Sequence, residues 1–397
     1  MLSGGGARGA YEVGVLRYVR ERIRCPTPFH CITGSSVGAI NGAYIAATCD
    51  RPRAQVRMLA RVWSDLNLDE IYRLGWSQIR NLPQLLFGRT LPRKMTHGET
   101  IGGLVDPTMI ESVVRTRITW RGITDNLHRG HLQAFSCSAT ELATGTTTVF
   151  VQTREGRLPF WPADPGQTIV HTPIMAAHTL ASAAIPVLFP AVRVGDQFYV
   201  DGSLRQNTPI RPAMRLGANR LLVIGLRQKD AEKIAVKRAR DHARAVYPNA
   251  VFMLGKVLNA LMLDKLEADL TRIRRTNELV EAGRALYGED FAEKIGAQIT
   301  GRAGKPYEKI DVELIQPSRN LGELAYDVIR RTGLRRYSSV MARWLRRTME
   351  SGEEFHENDL ASYVLWDPAY VGELMDLGFA DAQARHDEIA ALFEPVR

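Results

Sequence analysis

Long apolar runs are missing from this chain. No stretch approaches the roughly eighteen uninterrupted apolar residues of a membrane span, and the first residues lack the charged-then-apolar order of a secretory signal. The chain as given therefore reads as non-secreted. Cysteine is scarce too: Cys25, Cys31, Cys49 and Cys137 form neither a Cys-x-x-Cys pair nor a zinc-site spacing. That excludes a disulfide scaffold and leaves reduced thiols in a reducing compartment, so a cytoplasmic protein is expected. The nearest thing to a metal pattern is His128-Arg-Gly-His131, with no carboxylate or thiol cluster beside it. It reads as a loop before a strand, and no metal site is expected. Internal repeats and low-complexity runs are absent as well.

What is present is a globular composition. Of 397 residues, 45% are hydrophobic and 24% charged, enough for one large domain or two ordinary ones. The net charge is +9, spread along the whole length. Such a balance favours anionic partners, and peripheral contact with an anionic membrane surface stays open. No helix-turn-helix, zinc-finger or aromatic RNA-binding signature accompanies it, so nucleic acid is not an expected partner.

The most informative stretch runs from Phe29 to Thr48. A short apolar run leads into Gly34-Ser35-Ser36-Val37-Gly38, and an alanine-rich helical pattern follows. A serine on a tight strand-to-helix turn has its hydroxyl pushed out of the backbone, and small neighbours let the helix pack close behind it. Ser36 is the candidate nucleophile, with Gly34 and Gly38 as the elbow glycines.

A second glycine-rich stretch, Gly4-Gly5-Gly6-Ala7-Arg8-Gly9, opens an apolar helical pattern from Ala10 to Val19. Its backbone N–H groups lack helical partners and can receive an anion or oxyanion. The stretch also satisfies the dinucleotide fingerprint Gly-x-Gly-x-x-Gly. A Rossmann unit, however, needs an acidic residue about twenty positions on, and none stands between Glu21 and Asp50. A loop of this kind normally follows a buried strand, yet only Met1 and Leu2 precede Ser3. Either the start assigned to the chain lies too far downstream, or the sheet is frayed at its centre.

Residues 51–76 read as helix. Trp76 to Met95 interleaves apolar residues (Trp76, Leu85, Leu86, Phe87) with Arg80, Arg89, Arg93 and Lys94, as in a covering loop or a lipid-contacting lid. Strands are expected at Leu132–Ala139 and Thr144–Gln152, a helix at Pro173–Ala183, a hairpin at Ala191–Asp201 turning at Gly195-Asp196, and a buried strand at Leu221–Gly225. This alternation indicates an α/β layered domain with a mainly parallel sheet. Beyond Arg227 the pattern becomes helical and charged, interrupted by a strand-like Ile310–Gln316. The expected organisation is a catalytic core at 1–228, a helical insertion at 229–305, a strand returning to the core at 306–320 and a helical extension at 321–397. Within the extension, Arg335–Arg347 is basic and amphipathic, suiting a membrane surface or a solvated helix face.

A serine at neutral pH needs a base. Asp201-Gly202-Ser203 stands at a strand end, where an acidic residue beside glycine is either a turn former or that base. Taken together, the glycine loop, the Gly-x-Ser-x-Gly elbow and Asp201-Gly202-Ser203 resemble the patatin-like phospholipase family. The connecting text is similar too: Ala181-Ser-Ala-Ala-Ile-Pro186, Phe189-Pro190 and Asn207-Thr-Pro209. Ser203 departs from the small apolar residue or glycine usual there.

The resemblance implies a three-layer α/β/α patatin-like fold with added C-terminal helices. It also implies a carboxylic ester hydrolase of the phospholipase or lipase kind acting on lipid or phospholipid. Ser36 and Asp201 would form a dyad without histidine, and the oxyanion hole would be built at Gly4, Gly5, Gly6, Arg8, Gly9 and Val37. Partial desolvation should raise the pKa of Asp201. No cofactor is implied. A lipid transacylase, or a membrane- or partner-binding module with impaired chemistry, are the alternatives.

Overall fold

The sheet is built around two strands that carry small residues where other backbone must come close. In the computed structural model the strands are β1 (Cys31–Ser35), β2 (Thr100–Ile101), β3 (Ala134–Glu141), β4 (Thr147–Thr153), β5 (Gln167–His171), β6 (Ala191–Val194), β7 (Gln197–Asp201), β8 (Arg220–Ile224) and β9 (Asp311–Ile315). The residues described are 1–23, 29–72, 100–101, 105–162, 164, 166–228, 266–299, 307–350 and 358–394. The Trp76–Met95 stretch, Cys25 and the first part of the expected helical insertion, 229–265, lie outside them.

β3 is the hub. It pairs parallel with β1 and antiparallel with both β4 and β7, while β5 runs parallel to β4. β6 and β7 form the expected hairpin, and β2 extends it. β8 and β9 pair in parallel. The sheet is therefore mixed: β1 with β3, β4 with β5 and β8 with β9 pair in parallel, whereas β4 and β7 run antiparallel to β3 and β2, β6 and β7 antiparallel to one another in order. Only the turn Leu142–Thr146 separates β3 from β4, far too little chain for the crossover that parallel neighbours require. β5 carries no clear alternation and was not anticipated from the sequence.

Met1–Ser3 joins the two sets of strands. Leu2 forms parallel bridges with Gly34 of β1 and Ile224 of β8. Leu2 N–H donates to the Thr33 carbonyl (2.9 Å), Ser35 N–H donates to that of Leu2 (3.3 Å), and Ile224 N–H donates to that of Met1 (3.0 Å). At this place in the sheet Leu2 is a single bridging residue, held by hydrogen bonds to the strand on either side.

Layering follows from the alternation on β8. Leu222 and Ile224 join the large core, whereas Leu221 and Val223 face a smaller core with Ile210, Ala213 and the helix Leu266–Tyr287. A strand buried on both faces has a helical layer on each. On the first side lie α1 (Ala10–Arg22), α2 (Val37–Ala47) and α3 (Pro52–Ser64). The C-terminal helix Pro368–Gln383 packs on α1 at backbone distance: a side chain on Gly14 would sit 2.0 Å from the Met375 carbonyl oxygen, and one on Gly378 would sit 2.2 Å from that of Tyr11. Among the described residues, no helix is long and apolar enough to cross a membrane.

Candidate active site

The turn between β1 and α2 is strained. Ser36 holds φ 52° and ψ −129°, one of three non-glycine residues with positive φ among those described. Such a conformation costs about 1–3 kcal/mol and persists only where surrounding packing imposes it. Here the imposing contact is between the elbow glycines: a Cβ on Gly34 would lie 2.3 Å from the Gly38 carbonyl oxygen. Ser182 holds the turn from the other side. The Ser36 N–H donates to Ser182 Oγ (3.0 Å), whose own hydroxyl donates to the Ser138 carbonyl of β3 (2.6 Å). Nothing local in the sequence marks Ser182, a serine in a small-residue helix, as a partner for a residue so far upstream.

Asp201 ends β7 beside that turn. Its Oδ2 accepts the Ser36 hydroxyl at 2.6 Å, and its Oδ1 accepts both the Ser203 N–H (2.8 Å) and the Ser203 hydroxyl (2.5 Å). Ser36 is 2% exposed and Asp201 is fully buried. Burial pushes the Asp201 carboxyl up to about 6, although the bonds from Ser203 and Ser36 pull the other way. The departure at Ser203 is therefore not passive, because its hydroxyl supplies one of three hydrogen bonds to the carboxylate. No histidine is among those donors.

The glycine loop faces the elbow. Gly4 N–H is taken by the Asn207 carbonyl (3.3 Å), and a Cβ on Gly4 would meet Ser36 Cβ at 2.9 Å, so only glycine allows this approach. The N–H groups of Gly5 and Gly6 donate to no acceptor among the described residues, and that of Val37, in the first turn of α2, has none within its own helix. Gly9 lies behind the loop and its carbonyl accepts Asn41 Nδ2 (3.1 Å). Arg8, 6% exposed, turns away from the sheet: its Nε donates to Ser362 Oγ (2.7 Å), and its guanidinium lies 3.9 Å from the centre of the Tyr363 ring.

Under the loop is a buried polar network that the sequence did not reveal. Glu12 accepts Ser3 N–H (2.7 Å) and Asn41 Nδ2 (2.8 Å), and Asn41 Oδ1 accepts Trp63 Nε1 (2.9 Å). Burial pushes the Glu12 carboxyl up to about 8 against the lowering effect of these bonds. Ser3 Oγ donates to the Ile224 carbonyl (2.8 Å), so the network also fastens the loop to β8.

An apolar chamber opens at Ser36 and Gly6. It follows α2 past Ile40 to Tyr44, is walled by α3 and the helix Thr108–Arg117, and encloses ≈ 1070 Å³ of empty space counting its mouth. Among the described residues no cluster of histidine, cysteine or carboxylate could hold a metal ion.

A sequence model of the family "Patatin-like phospholipase" matches residues 1–214. The patatin-like phospholipase domain-containing protein 7 of Rattus norvegicus is 42% identical over 65 residues, which are 16% of this chain and 4% of that protein. The protein of the same name from Mus musculus matches with the same identity and shares. The chain thus spans only a small part of the length of these relatives. The family match, by contrast, takes in more than half of the chain and includes the glycine loop, the elbow and Asp201. The chain belongs to the patatin-like phospholipase family, a family of lipid acyl hydrolases.

Proposed function

We propose that this protein hydrolyses fatty acyl esters of phospholipids or neutral lipids through a Ser36–Asp201 dyad. The observation that carries the proposal is the 2.6 Å hydrogen bond to a fully buried carboxylate from the hydroxyl of Ser36, a residue that lines an apolar chamber. A carboxylate of ordinary pKa is a weak base, and burial makes Asp201 a stronger one.

In the first half-reaction Asp201 takes the hydroxyl proton as Ser36 Oγ bonds to the acyl carbon. The carbonyl oxygen becomes an oxyanion, held by the N–H groups of Gly5, Gly6 and Val37, while Gly4 and Gly9 shape the loop. Such preorganised donors usually supply the largest single share of catalysis. Collapse breaks the ester bond, and the departing alcohol takes the proton from Asp201. Water then gives its proton to Asp201 and attacks the acyl-serine, releasing the fatty acid and returning the proton to Ser36. The acyl chain lies in the chamber along α2. The +9 charge suits a cytoplasmic enzyme meeting its substrate at an anionic membrane surface. The rival reading, a binding module with crippled chemistry, rested on a missing strand; the bridges of Leu2 to Gly34 and Ile224 support an anchored loop and favour the hydrolase.

The test is labelling with a fluorophosphonate probe alongside fatty acid release from lipid esters of differing head group. Labelling at Ser36 and release by the same protein are expected. A folded protein that neither labels nor releases fatty acid would refute the proposal.

A further inference from the structure

The family match stops at residue 214, yet the glycine loop leans on a helix far beyond it, Asn358–Val364. Three contacts bind the two together. Gly6 adopts φ +56°, and a Cβ there would lie 2.4 Å from the Tyr363 carbonyl oxygen, so the helix backbone rests directly on a residue that lines the chamber together with Ser36. Arg8 Nε donates to Ser362 Oγ at 2.7 Å. The Arg8 guanidinium lies over the Tyr363 ring at 3.9 Å, well within cation–π range.

The same segment then reaches the network on the other side of the loop. Trp366 stacks on Trp63 (ring centres 5.2 Å apart, planes at 19°), and Trp63 Nε1 donates to Asn41, which holds the Gly9 carbonyl. The loop is therefore gripped from two sides. Glu12, Asn41 and Ser3 fix its base, while Ser362 and Tyr363 fix the crest that carries Gly5 and Gly6. An oxyanion hole works only if its donors are already aimed before the charge develops. A short glycine-rich turn has no stiffness of its own to supply this aim.

We infer that Ser362 and Tyr363 are positioning residues for the oxyanion loop, holding Arg8 so that the Gly5 and Gly6 N–H groups stay directed at the acyl carbonyl. The C-terminal helices are then a working part of the active site. This rests on the acyl hydrolase reading above.

The test uses the full chain and a soluble p-nitrophenyl acyl ester, with fluorophosphonate labelling rate as a second readout. Ser362→Ala and Tyr363→Leu should each lower kcat by about tenfold, a fraction of the loss expected for an oxyanion donor itself. For Ser362→Ala, KM should stay within about twofold and labelling should slow in parallel, because Ser362 does not line the chamber; Tyr363 does, so for Tyr363→Leu the fall in kcat and the slower labelling are the readout. Tyr363→Phe keeps the ring and should restore kcat. Should Ser362→Ala and Tyr363→Leu both keep wild-type kcat and labelling, or should Tyr363→Leu raise KM alone, as loss of a pocket wall would, the inference is overturned. A wild-type protein that neither turns over nor labels would sink the acyl hydrolase reading itself, whereas an active wild type with indifferent variants sinks only this one.

Discussion

Ser36 and Asp201, 165 residues apart in the chain, are hung from neighbouring residues of one strand. Ser35 pairs with Ser138 of β3, and Asp201 pairs with Ala139. Where β1 ends, β7 arrives on the same edge of β3, so the turn bearing Ser36 and the strand end bearing Asp201 meet by register alone. Ser182, bonded to the Ser138 carbonyl and to the Ser36 N–H, sits at the same junction. The meeting of Ser36 and Asp201 is thus a property of the sheet.

That arrangement makes the two side chains one unit. Ser36→Ala and Asp201→Asn should each reduce kcat/KM for a lipid ester by at least about a thousandfold, with the double variant little worse than either single one, because members of a catalytic unit are not additive. Steady-state kinetics on proteins with wild-type circular dichroism will check this. Substantial activity in Asp201→Asn would mean that another group takes the proton.

The rate should follow the ionisation of Asp201. With its carboxyl pushed up to about 6, kcat/KM should rise with pH and level off above that value, since only the carboxylate can accept the serine proton. The Ser203 hydroxyl favours the charged form, so Ser203→Ala should move the acid limb to higher pH. A limb that stays in place would mean that the Ser203 hydroxyl does not tune the base.

Stability should move in the opposite sense. Asp201 binds a proton more readily folded than unfolded, its pKa rising from 3.8 to about 6. Its contribution to stability is therefore complete below about pH 4 and is lost as pH rises through about 6. Asp201→Asn removes this dependence. Relative to wild type it should gain up to about 3 kcal/mol between pH 4 and pH 7.5. Urea unfolding of both proteins across that range gives the difference directly, and a constant gap would contradict it. Glu12, raised from 4.5 to about 8, adds a slope of the same sign to both proteins.

Ser182 should matter to both folding and turnover. Removing its hydroxyl takes the acceptor from the Ser36 N–H and one donor from the Ser138 carbonyl, at a cost of about 1–3 kcal/mol for a buried group left unsatisfied. The elbow then loses one restraint on its positive φ. Ser182→Ala is expected to lower the unfolding midpoint and to reduce kcat by about tenfold, as small misplacements of a nucleophile do. A stable variant with full kcat would show that the glycine contact alone holds the turn.

Chain-length preference should respond to Ile40, one turn past the nucleophile on the wall of the chamber. Ile40→Trp narrows the channel beyond the first few carbons. Turnover of p-nitrophenyl acetate should change little, whereas that of a long-chain ester should fall by about tenfold or more, in keeping with a clash against a filled pocket. Equal effects on both esters would place the acyl chain elsewhere.

Much of this was legible in the amino-acid order because its signals are local. Gly34–Gly38 with an apolar run before it and small residues after it specifies a strand, a tight turn and a close-packed helix. Gly4–Gly9 specifies a loop opening a helix, and Gly195-Asp196 a hairpin ending at Asp201. Each depends on residues a few positions apart, whose backbone preferences and side-chain sizes act without help from the rest of the chain. The contacts decided by tertiary structure are those between distant segments. Leu2 is a complete link in the sheet because β1 and β8 lie on either side of it, and Ser203 becomes a ligand of the carboxylate because the turn folds back on Asp201. Glu12 is buried because Ser3 and Asn41 converge on it. Arg8 meets Ser362 and Tyr363 only because the C-terminal helices fold over α1. Hydrogen bonds and burial across such separations depend on where the sheet places each segment, and no local pattern encodes that.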